Sequence, residues 1–223
     1  MCPFCYIGKR RFEVALQQFE HKDKIEIEWK SYLLNPELVT DPSKNIHQFL
    51  AEHKGISLEE ATGMNDYVTN MAANSGLTFD FDKAIPANSF NAHRLLHFAK
   101  EHGRQHETEE ALFKAYFTDG KNIDDAATLT EIAGSVGLNT TAMAEAMASE
   151  AYFQDVVMDV QEAQNIGVRG VPFFVFDRKY AVSGAQEPDA FLNTLSTAYA
   201  EWQQPAAPLN VVEGDSCGVD GEC

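Results

Sequence analysis

The residues of this chain best suited to covalent chemistry are four cysteines, which lie in two pairs near its ends. Cys2 and Cys5 are separated by two residues, and Cys217 and Cys223 lie within the last seven residues. No cysteine occurs between Cys5 and Cys217. Because a disulfide-stabilised secreted domain distributes its cysteines through the fold, this placement argues against such a domain. Two terminal pairs instead predict thiol chemistry in a reducing compartment, and we therefore expect a cytoplasmic protein.

The first pair, in the sequence Cys2-Pro3-Phe4-Cys5, has the spacing of a redox site. Proline favours the first turn of a helix, so we expect a helix to begin at Pro3 with Cys2 at its N-cap. The free amides of the first turn and the positive end of the helix dipole would stabilise a Cys2 thiolate. Thiols in such positions have pKa values lowered to about 3.5–7.5. Cys5 would then lie close enough to form a disulfide with Cys2 and release a partner bound there.

Two other interpretations of this pair stay open. The pair could be half of a structural zinc site, or two cysteines without a chemical role. A zinc site needs four ligands, and the other two would have to be Cys217 and Cys223 or some of the seven histidines. Five residues separate Cys217 from Cys223, which is wider than the usual spacing of zinc ligands. We therefore predict a redox pair and no metal site.

A second segment of interest is Gly170-Val171-Pro172-Phe173-Phe174-Val175. A proline at the start of a strand is unusual because it cannot donate a hydrogen bond to the ladder. A cis Val171–Pro172 bond would expose the Val171 backbone to an incoming peptide, whereas a trans bond is the ordinary state of such a bond. Alone, this segment is only a weak indication of a binding site.

The elements that must position these residues follow from hydrophobic periodicity and turn signals. The sequence predicts a helix over residues 3–21, a strand over 25–34, and a helical block over 37–165. Two short strands at 171–176 and 180–182 and a helix over 187–202 then follow.

These motifs in this order are similar to the thioredoxin superfamily, and most similar to the DsbA-type oxidoreductases, in particular their FrnE-like cytosolic branch. The matching segments are CPFCYIGKR at 2–10, IGVRGVPFFV at 166–175 and YAVSGAQ at 180–186. With the helical block between them, the resemblance covers nearly all of residues 2–203. The linked order of the motifs makes it specific, since a CxxC motif alone would not be.

The resemblance implies an α/β fold in which a thioredoxin-like domain is interrupted by a large all-helical insertion. We place the thioredoxin-like domain at residues 1–36 and 166–204, the helical insertion domain at 37–165 and a flexible cysteine-containing tail at 205–223. The family has a β-strand before the CxxC motif, and this chain begins one residue before that motif. The first strand of the family is therefore absent from this sequence, and we expect residues upstream of Met1 to be missing from it.

The resemblance also implies roles for single residues. Cys2 is the predicted nucleophile, Cys5 the resolving thiol and Pro172 a cis-proline opposite them; these are the predicted catalytic residues. The predicted substrate-binding residues are Pro3, Phe4 and Val171. The helical insertion would shape the substrate groove between the two domains.

Three interpretations stay open for Cys217 and Cys223. They could be solvated thiols on a flexible tail, a second redox pair or resolving arm for Cys2, or ligands that capture a metal. The segment between Trp202 and Cys217 would span roughly 20 Å as a flexible chain. An arm of that length could reach the first pair.

Paired histidines are weaker candidates for a site. His93 and His97, with Arg94 between them, could mark a metal or substrate site on one helix face. Because no glutamate motif or third ligand accompanies them, we expect them to be surface or groove-lining helix residues. His102 and His106 have the same spacing, but a glycine lies between them and weakens the case further.

The charge of the chain excludes some classes of partner. The formal net charge is −17 at pH 7, which argues against nucleic acids and anionic membrane surfaces. No run approaches 18 apolar residues, so we expect no membrane span, and no signal peptide is visible at the start of the sequence. The acidity is concentrated in residues 36–165 and in the tail, and residues 1–35 are nearly neutral. We therefore expect the potential across the groove to be asymmetric.

We predict a thiol–disulfide oxidoreductase or isomerase acting on protein or small-molecule disulfides. It needs no cofactor, and glutathione or a thioredoxin-type reductant is its candidate redox partner. One alternative is a glutathione-dependent isomerase or transferase related to kappa-class transferases and hydroxychromene carboxylate isomerase, although these typically carry serine at the nucleophile position. The other alternative is a non-enzymatic metal-binding or chaperone-like module.

Overall fold

A computed structural model describes residues 1–204, which form nine α-helices and one two-stranded sheet within that range. The second cysteine pair lies outside the described residues. The helices are α1 (Pro3–Gln18), α2 (Ile46–Lys54), α3 (Leu58–Asn74), α4 (Phe90–Glu101), α5 (Gln105–Phe117), α6 (Ala126–Ser135), α7 (Thr140–Ala148), α8 (Phe153–Asn165) and α9 (Pro188–Trp202), and the strands are β1 (Phe173–Phe176) and β2 (Tyr180–Ser183). A short 3₁₀ turn, Lys22–Lys24, follows α1.

Helix α1 begins where the sequence predicts, with Cys2 at the N-cap and Pro3 in the first turn. It ends three residues earlier than predicted, because the backbone of Phe19 is extended (ψ 124°) and its N–H already turns back to the carbonyl of Leu16. The two faces of α1 pack into two different hydrophobic clusters. The cysteine pair is therefore fixed relative to both clusters by one helix.

The larger cluster is helical and receives Tyr6 and Ile7 from α1. The ring of Tyr6 stacks on Phe113 of α5 with a centroid distance of 4.8 Å. The predicted helical block is interrupted at residues 75–89, where Phe79 and Phe81 pack into this cluster although they are not in a helix. The backbone of this stretch is bound by α5 instead, since the N–H of Asp80 donates to the carbonyl of Phe117 and the hydroxyl of Tyr116 donates to the carbonyl of Ile85.

The smaller cluster joins α1 to the hairpin and to α9. Strands β1 and β2 pair antiparallel with Phe173 opposite Ser183 and Phe176 opposite Tyr180, which confirms the predicted hairpin. Phe12 of α1 and Phe191 of α9 are both in ring contact with this sheet face and with each other, at 5.8 Å between centroids. The predicted closing helix over 187–202 is confirmed by α9.

The predicted strand over 25–34 is wrong, because these residues form no ladder within the described range. The alternation behind the prediction is real, since Ile25, Ile27 and Trp29 are half-buried and the residues between them are exposed. The backbone of this segment is instead satisfied by side chains of helices. Gln105 of α5 binds both the N–H and the carbonyl of Trp29, and Asp159 of α8 accepts from the N–H of Ser31 at 2.8 Å.

A buried ionic network holds α1 against α5. The side chain of Lys9 is 1% exposed, and its ammonium lies between the carboxylates of Glu13 and Glu110. Glu110 also binds Arg10 at 2.6 Å and accepts from the hydroxyl of Tyr6 at 2.6 Å. Burying an ammonium without a partner is very unfavourable. The burial of Lys9 therefore depends on the nearby carboxylates of Glu13 and Glu110.

None of the helices described between residues 1 and 204 combines the length and the apolar character needed to cross a membrane.

We expect Lys9→Ala to lower the free energy of unfolding by about 2 kcal/mol, because it removes the buried cation between two half-buried carboxylates and leaves them paired with Arg10. The measurement is urea unfolding followed by circular dichroism. Lys22→Ala is the control, since the exposed Lys22 contacts only Gln17 and surface changes are usually within about 0.5 kcal/mol. Equal unfolding midpoints for the two variants would contradict the role assigned to Lys9.

Candidate active site

The first cysteine pair sits on the amino-terminal turn of α1. Cys2 has an extended backbone (φ −101°, ψ 117°), and its carbonyl accepts a hydrogen bond from the N–H of Cys5 at 3.2 Å. Both thiols are free and partly buried. Cys2 and Cys5 thus lie one helical turn apart along the chain, and both thiols are at the positive end of the helix dipole.

The environment separates the acidities of the two thiols. A hydrogen bond from Cys5 lowers the pKa of Cys2 to about 7 although burial raises it, and the amides of Cys5 and Phe4 add to the lowering. The same thiol–thiol hydrogen bond, burial and the charge of Cys2 raise the pKa of Cys5 well above its ordinary value. A proton shared in this way leaves Cys2 as the thiolate and Cys5 as the thiol.

Val171 and Pro172 lie opposite Cys2. The Val171–Pro172 peptide bond is cis, and the carbonyl of Val171 is 3.6 Å from the Cys2 sulfur. The carbonyl of Pro172 accepts from the N–H of Gly184 in the loop after β2, at 2.8 Å. Gly8 favours the close approach between α1 and this segment, since a Cβ there would be 3.0 Å from the ring of Pro172 and would push it away by a few tenths of an ångström.

One large cavity, which we call the thiol cleft, runs past the cysteines and has a volume of about 1960 Å³. Its walls near the thiols include Pro3 and Phe4 from α1, and Phe4 is 37% exposed. The structure thus brings together all six residues predicted around the first pair: Cys2, Pro3, Phe4, Cys5, Val171 and Pro172.

Glu109 of α5 lines the same cleft and was not predicted from the sequence. Its side chain is buried, and burial raises its pKa to about 7. The charge of Glu109 in turn contributes to the raised pKa of Cys5. A signal in the sequence could have identified it: with Leu112, Phe113 and Tyr116 it falls at helical spacing on the buried face of α5.

The paired histidines do not form a metal site. His97 is buried, and its Nε2 lies 3.1 Å from both Ser31 and Asp159, so it is a structural residue and not a surface one. His93 lines the thiol cleft, as the groove-lining interpretation expected, and burial lowers its pKa to about 4. Across residues 1–204 no group of three or more histidine, cysteine, aspartate or glutamate side chains is arranged to hold a metal ion.

The positive residues that follow the cysteines are not free charges behind the thiolate. Lys9 and Arg10 are neutralised by Glu13 and Glu110, and Arg11 binds Glu187 at 2.9 Å. Local hydrogen bonds, rather than these cations, therefore dominate the acidity of Cys2.

Comparison with known proteins identifies relatives for nearly the whole chain. The family model of the DSBA-like thioredoxin domain matches residues 1–196. The uncharacterised protein YwbO of Bacillus subtilis (strain 168) is 29% identical over 205 residues, which are 88% of this chain and 92% of YwbO.

Solved structures of similar proteins also cover nearly the whole chain. A probable DsbA oxidoreductase of Streptomyces coelicolor has a TM-score of 0.86 and 36% identity, with 99% of this chain and 93% of that chain covered. The cytosolic disulfide reductase DsbM of Pseudomonas aeruginosa, also solved with GSH, has a TM-score of 0.64 and 15% identity, with 90% of this chain and 95% of that chain covered. Because DsbM is only 15% identical in sequence, its similarity to this chain shows a shared fold. Together they place the chain in the α/β thioredoxin-like fold with a helical insertion.

We expect the Cys2 thiol to titrate with a midpoint of about 7. The measurement is the ultraviolet absorbance of the thiolate in a protein whose tail cysteines are changed to serine. Cys2→Ser in the same background should remove the transition. A midpoint near the ordinary thiol value of about 8.5 would contradict the hydrogen-bonded arrangement.

Glu109→Gln should stabilise the protein at alkaline but not at acidic pH. The folded-state pKa of Glu109, about 7, lies above its ordinary value of 4.5. Between those values the folded state binds more protons than the unfolded state, so stability falls as pH rises. Once the carboxyl is ionised, the loss is about 3 kcal/mol.

The measurement is the difference in urea midpoint between Glu109→Gln and the wild type, at about pH 5 and about pH 8. Glu107→Gln makes the same charge change on the same helix at an exposed position and serves as the control. A Glu109→Gln difference that does not grow with pH would show that the carboxyl is solvated.

Proposed function

Because this chain belongs to the DSBA-like thioredoxin domain family, we propose that it is a thiol–disulfide oxidoreductase or isomerase whose site is the Cys2–Cys5 pair. The observation that carries the proposal is the division of acidity within the pair, with the pKa of Cys2 lowered and that of Cys5 raised. Members of this family act without a prosthetic cofactor. The two thiols are sufficient for the exchange chemistry.

The reaction proceeds by two exchanges. The Cys2 thiolate attacks a substrate disulfide, forms a mixed disulfide and releases one substrate sulfur as a thiolate. Cys5 then loses its proton and attacks Cys2, which breaks the mixed disulfide and releases the second substrate sulfur. The substrate gains two electrons, and the protein is left with a Cys2–Cys5 disulfide. Run in reverse, the same steps oxidise a dithiol substrate.

Substrate recognition is assigned to Pro3, Phe4 and Val171. The carbonyl of Val171 faces the Cys2 sulfur, so an extended polypeptide that pairs with this backbone would present its own sulfur to Cys2. The half-exposed ring of Phe4 offers an apolar contact beside it. We assign the thioredoxin-like domain to residues 1–36 and 166–204 and the cleft wall to the helical insertion at 37–165. The two separate hydrophobic clusters support this division.

The acidity of Cys2 favours reduction or isomerisation over strong oxidation. Strongly oxidising pairs stabilise their nucleophilic thiolate far more, with a pKa of roughly 3.5, whereas a thioredoxin-type nucleophile has a pKa of roughly 7. A Cys2 pKa of about 7 supports the assignment of this pair to the second group. Glutathione or a thioredoxin-type reductant in the cytoplasm would then return the disulfide to the dithiol, and the fold shared with DsbM, solved with GSH, is compatible with that partner.

Substitution of each cysteine by serine tests the proposal. Cys2→Ser should abolish insulin reduction, because no nucleophile remains to open the substrate disulfide. Cys5→Ser should accumulate a mixed disulfide between protein and substrate, detected by mass spectrometry under non-reducing conditions. Cys217→Ser with Cys223→Ser tests the tail pair separately: unchanged turnover would show that the first pair suffices, and a loss of turnover would assign the tail pair a role as a second redox pair or resolving arm. Wild-type activity in Cys2→Ser, or no trapped species in Cys5→Ser, would reject the scheme.

A further inference from the structure

One face of α4 forms part of the wall of the thiol cleft. Ser89, which precedes the helix, and Ala92, His93 and Leu96 all line the cleft, at the spacing of three and four residues that places side chains on one face. The imidazole of His93 is the largest polar group on this face. The exchange between Cys2 and Cys5 does not use it.

His93 and His97 lie one turn apart on α4, but their rings are bound differently. Nε2 of His97 lies 3.1 Å from both the hydroxyl of Ser31 and the carboxylate of Asp159. Nδ1 of His93 is shielded from solvent and has no hydrogen-bond partner among residues 1–204. Because buried polar atoms in native proteins are nearly always hydrogen-bonded, an unpaired ring nitrogen in the wall of a cleft indicates that a ligand group binds there.

The surroundings of His93 make its Nδ1 an acceptor. The backbone carbonyl of Tyr32 favours a proton on the ring, and since Nδ1 has no partner, we assign this proton to Nε2. Tyr32 is held in place by its neighbour Ser31, whose N–H donates to Asp159. Burial lowers the pKa of His93 to about 4. The ring is therefore neutral near pH 7, and Nδ1 carries a free lone pair.

His93 is placed to contact a substrate bound at Cys2. The amino group of Met1 lowers the pKa of both His93 and Cys2, so it lies near each of them. All three residues line the thiol cleft, and the carbonyl of Val171 faces the Cys2 sulfur. Helix α4 belongs to the larger cluster and the hairpin to the smaller one. A substrate at Cys2 therefore has the backbone of Val171 on one side and the face of α4 on the other.

We infer that Nδ1 of His93 accepts a hydrogen bond from a backbone N–H of a polypeptide whose cysteine reacts with Cys2. The inference rests on the proposed function and narrows its substrates to disulfides carried by peptide chains. In an extended chain, successive residues direct their N–H groups to opposite edges. A polypeptide that pairs with Val171 along one edge therefore has N–H groups on its other edge, and His93 provides the acceptor for one of them.

A neutral acceptor suits this position. A carboxylate there would also accept the hydrogen bond, but its negative charge would disfavour the thiolate of Cys2. The imidazole of His93 accepts without adding a charge, because its pKa lies well below neutrality. It can therefore bind substrate and leave the acidity of Cys2 unchanged.

Two disulfides with the same leaving group test the inference. One is a blocked pentapeptide whose central cysteine carries a pyridyl disulfide, and the other is ethyl pyridyl disulfide, which has no N–H group. Attack by Cys2 on either releases thiopyridone, and its absorbance gives the second-order rate constant. The protein is full length, with Cys217→Ser and Cys223→Ser so that the tail thiols do not react. We expect His93→Leu to lower the rate constant for the peptide about tenfold and to leave that for the ethyl disulfide unchanged.

Two further variants separate binding from folding. His93→Asn keeps an acceptor oxygen and should recover part of the peptide rate. His102→Leu, at the end of α4, removes a ring that binds the carbonyl of Phe98, and it should react like the wild type. An equal loss with both disulfides in His93→Leu, or no loss with the peptide, would overturn the inference. If Cys2→Ser reacts as fast as the wild type, the proposed function is rejected, and the inference with it.

A measurement on the native histidine keeps the inference testable if His93→Leu does not fold. In Cys5→Ser with isotopically labelled histidine, the same two reagents leave either the peptide or an ethyl group on Cys2. The peptide should shift the Nδ1 resonance of His93 upfield, as a hydrogen bond to this nitrogen does, and the ethyl group should not. An Nδ1 resonance at the same position in both adducts would contradict the assigned contact.

Discussion

The interaction on which the rest of the structure depends is the packing of α1 between two hydrophobic clusters. Its first turn carries both thiols, so every group that acts on them must be brought to that turn by something that α1 touches. On one side the hairpin brings Val171 and Pro172, and glycine at residue 8 leaves room for this close contact. On the other side α5 brings Glu109 and Glu110, of which Glu110 is bound by Lys9 and Tyr6. The site is therefore assembled from two sides around one helix end.

This arrangement explains why two thiols of the same residue type differ in acidity. The N-terminal turn provides amides to Cys2 but not to Cys5. In the hydrogen bond between the two thiols, Cys5 is therefore the donor and Cys2 the acceptor. Burial alone would raise the pKa of both thiols. The difference between them thus arises from position within one helical turn, and the cations next in sequence contribute little because carboxylates neutralise them.

Local features of the chain could be predicted from the sequence, whereas features that depend on distant partners could not. The hairpin, α9 and the start of α1 follow from alternation, turn residues and the position of Pro3, which act within a few residues. The segment 25–34 shows the limit: its alternating burial was predicted correctly, but a ladder needs a neighbouring strand, and its backbone is bound by Gln105 and Asp159 instead. The pairing of Lys9 with Glu110 likewise could not be predicted, since Glu110 lies far away in the sequence.

Glu109 illustrates a different reason for failure, because the ordinary rules of patterning assign a leucine or phenylalanine to its position on α5. Burial there makes the ionised side chain unfavourable. The folded protein therefore loses stability as the pH rises through the range in which the Glu109 carboxyl ionises. Glu109 lines the same cleft as Cys5, and its charge contributes to the raised pKa of that thiol. Glu110, on the same turn, binds α5 to α1. A displacement of the helical insertion would therefore alter both the packing of α1 and the protonation of Cys5.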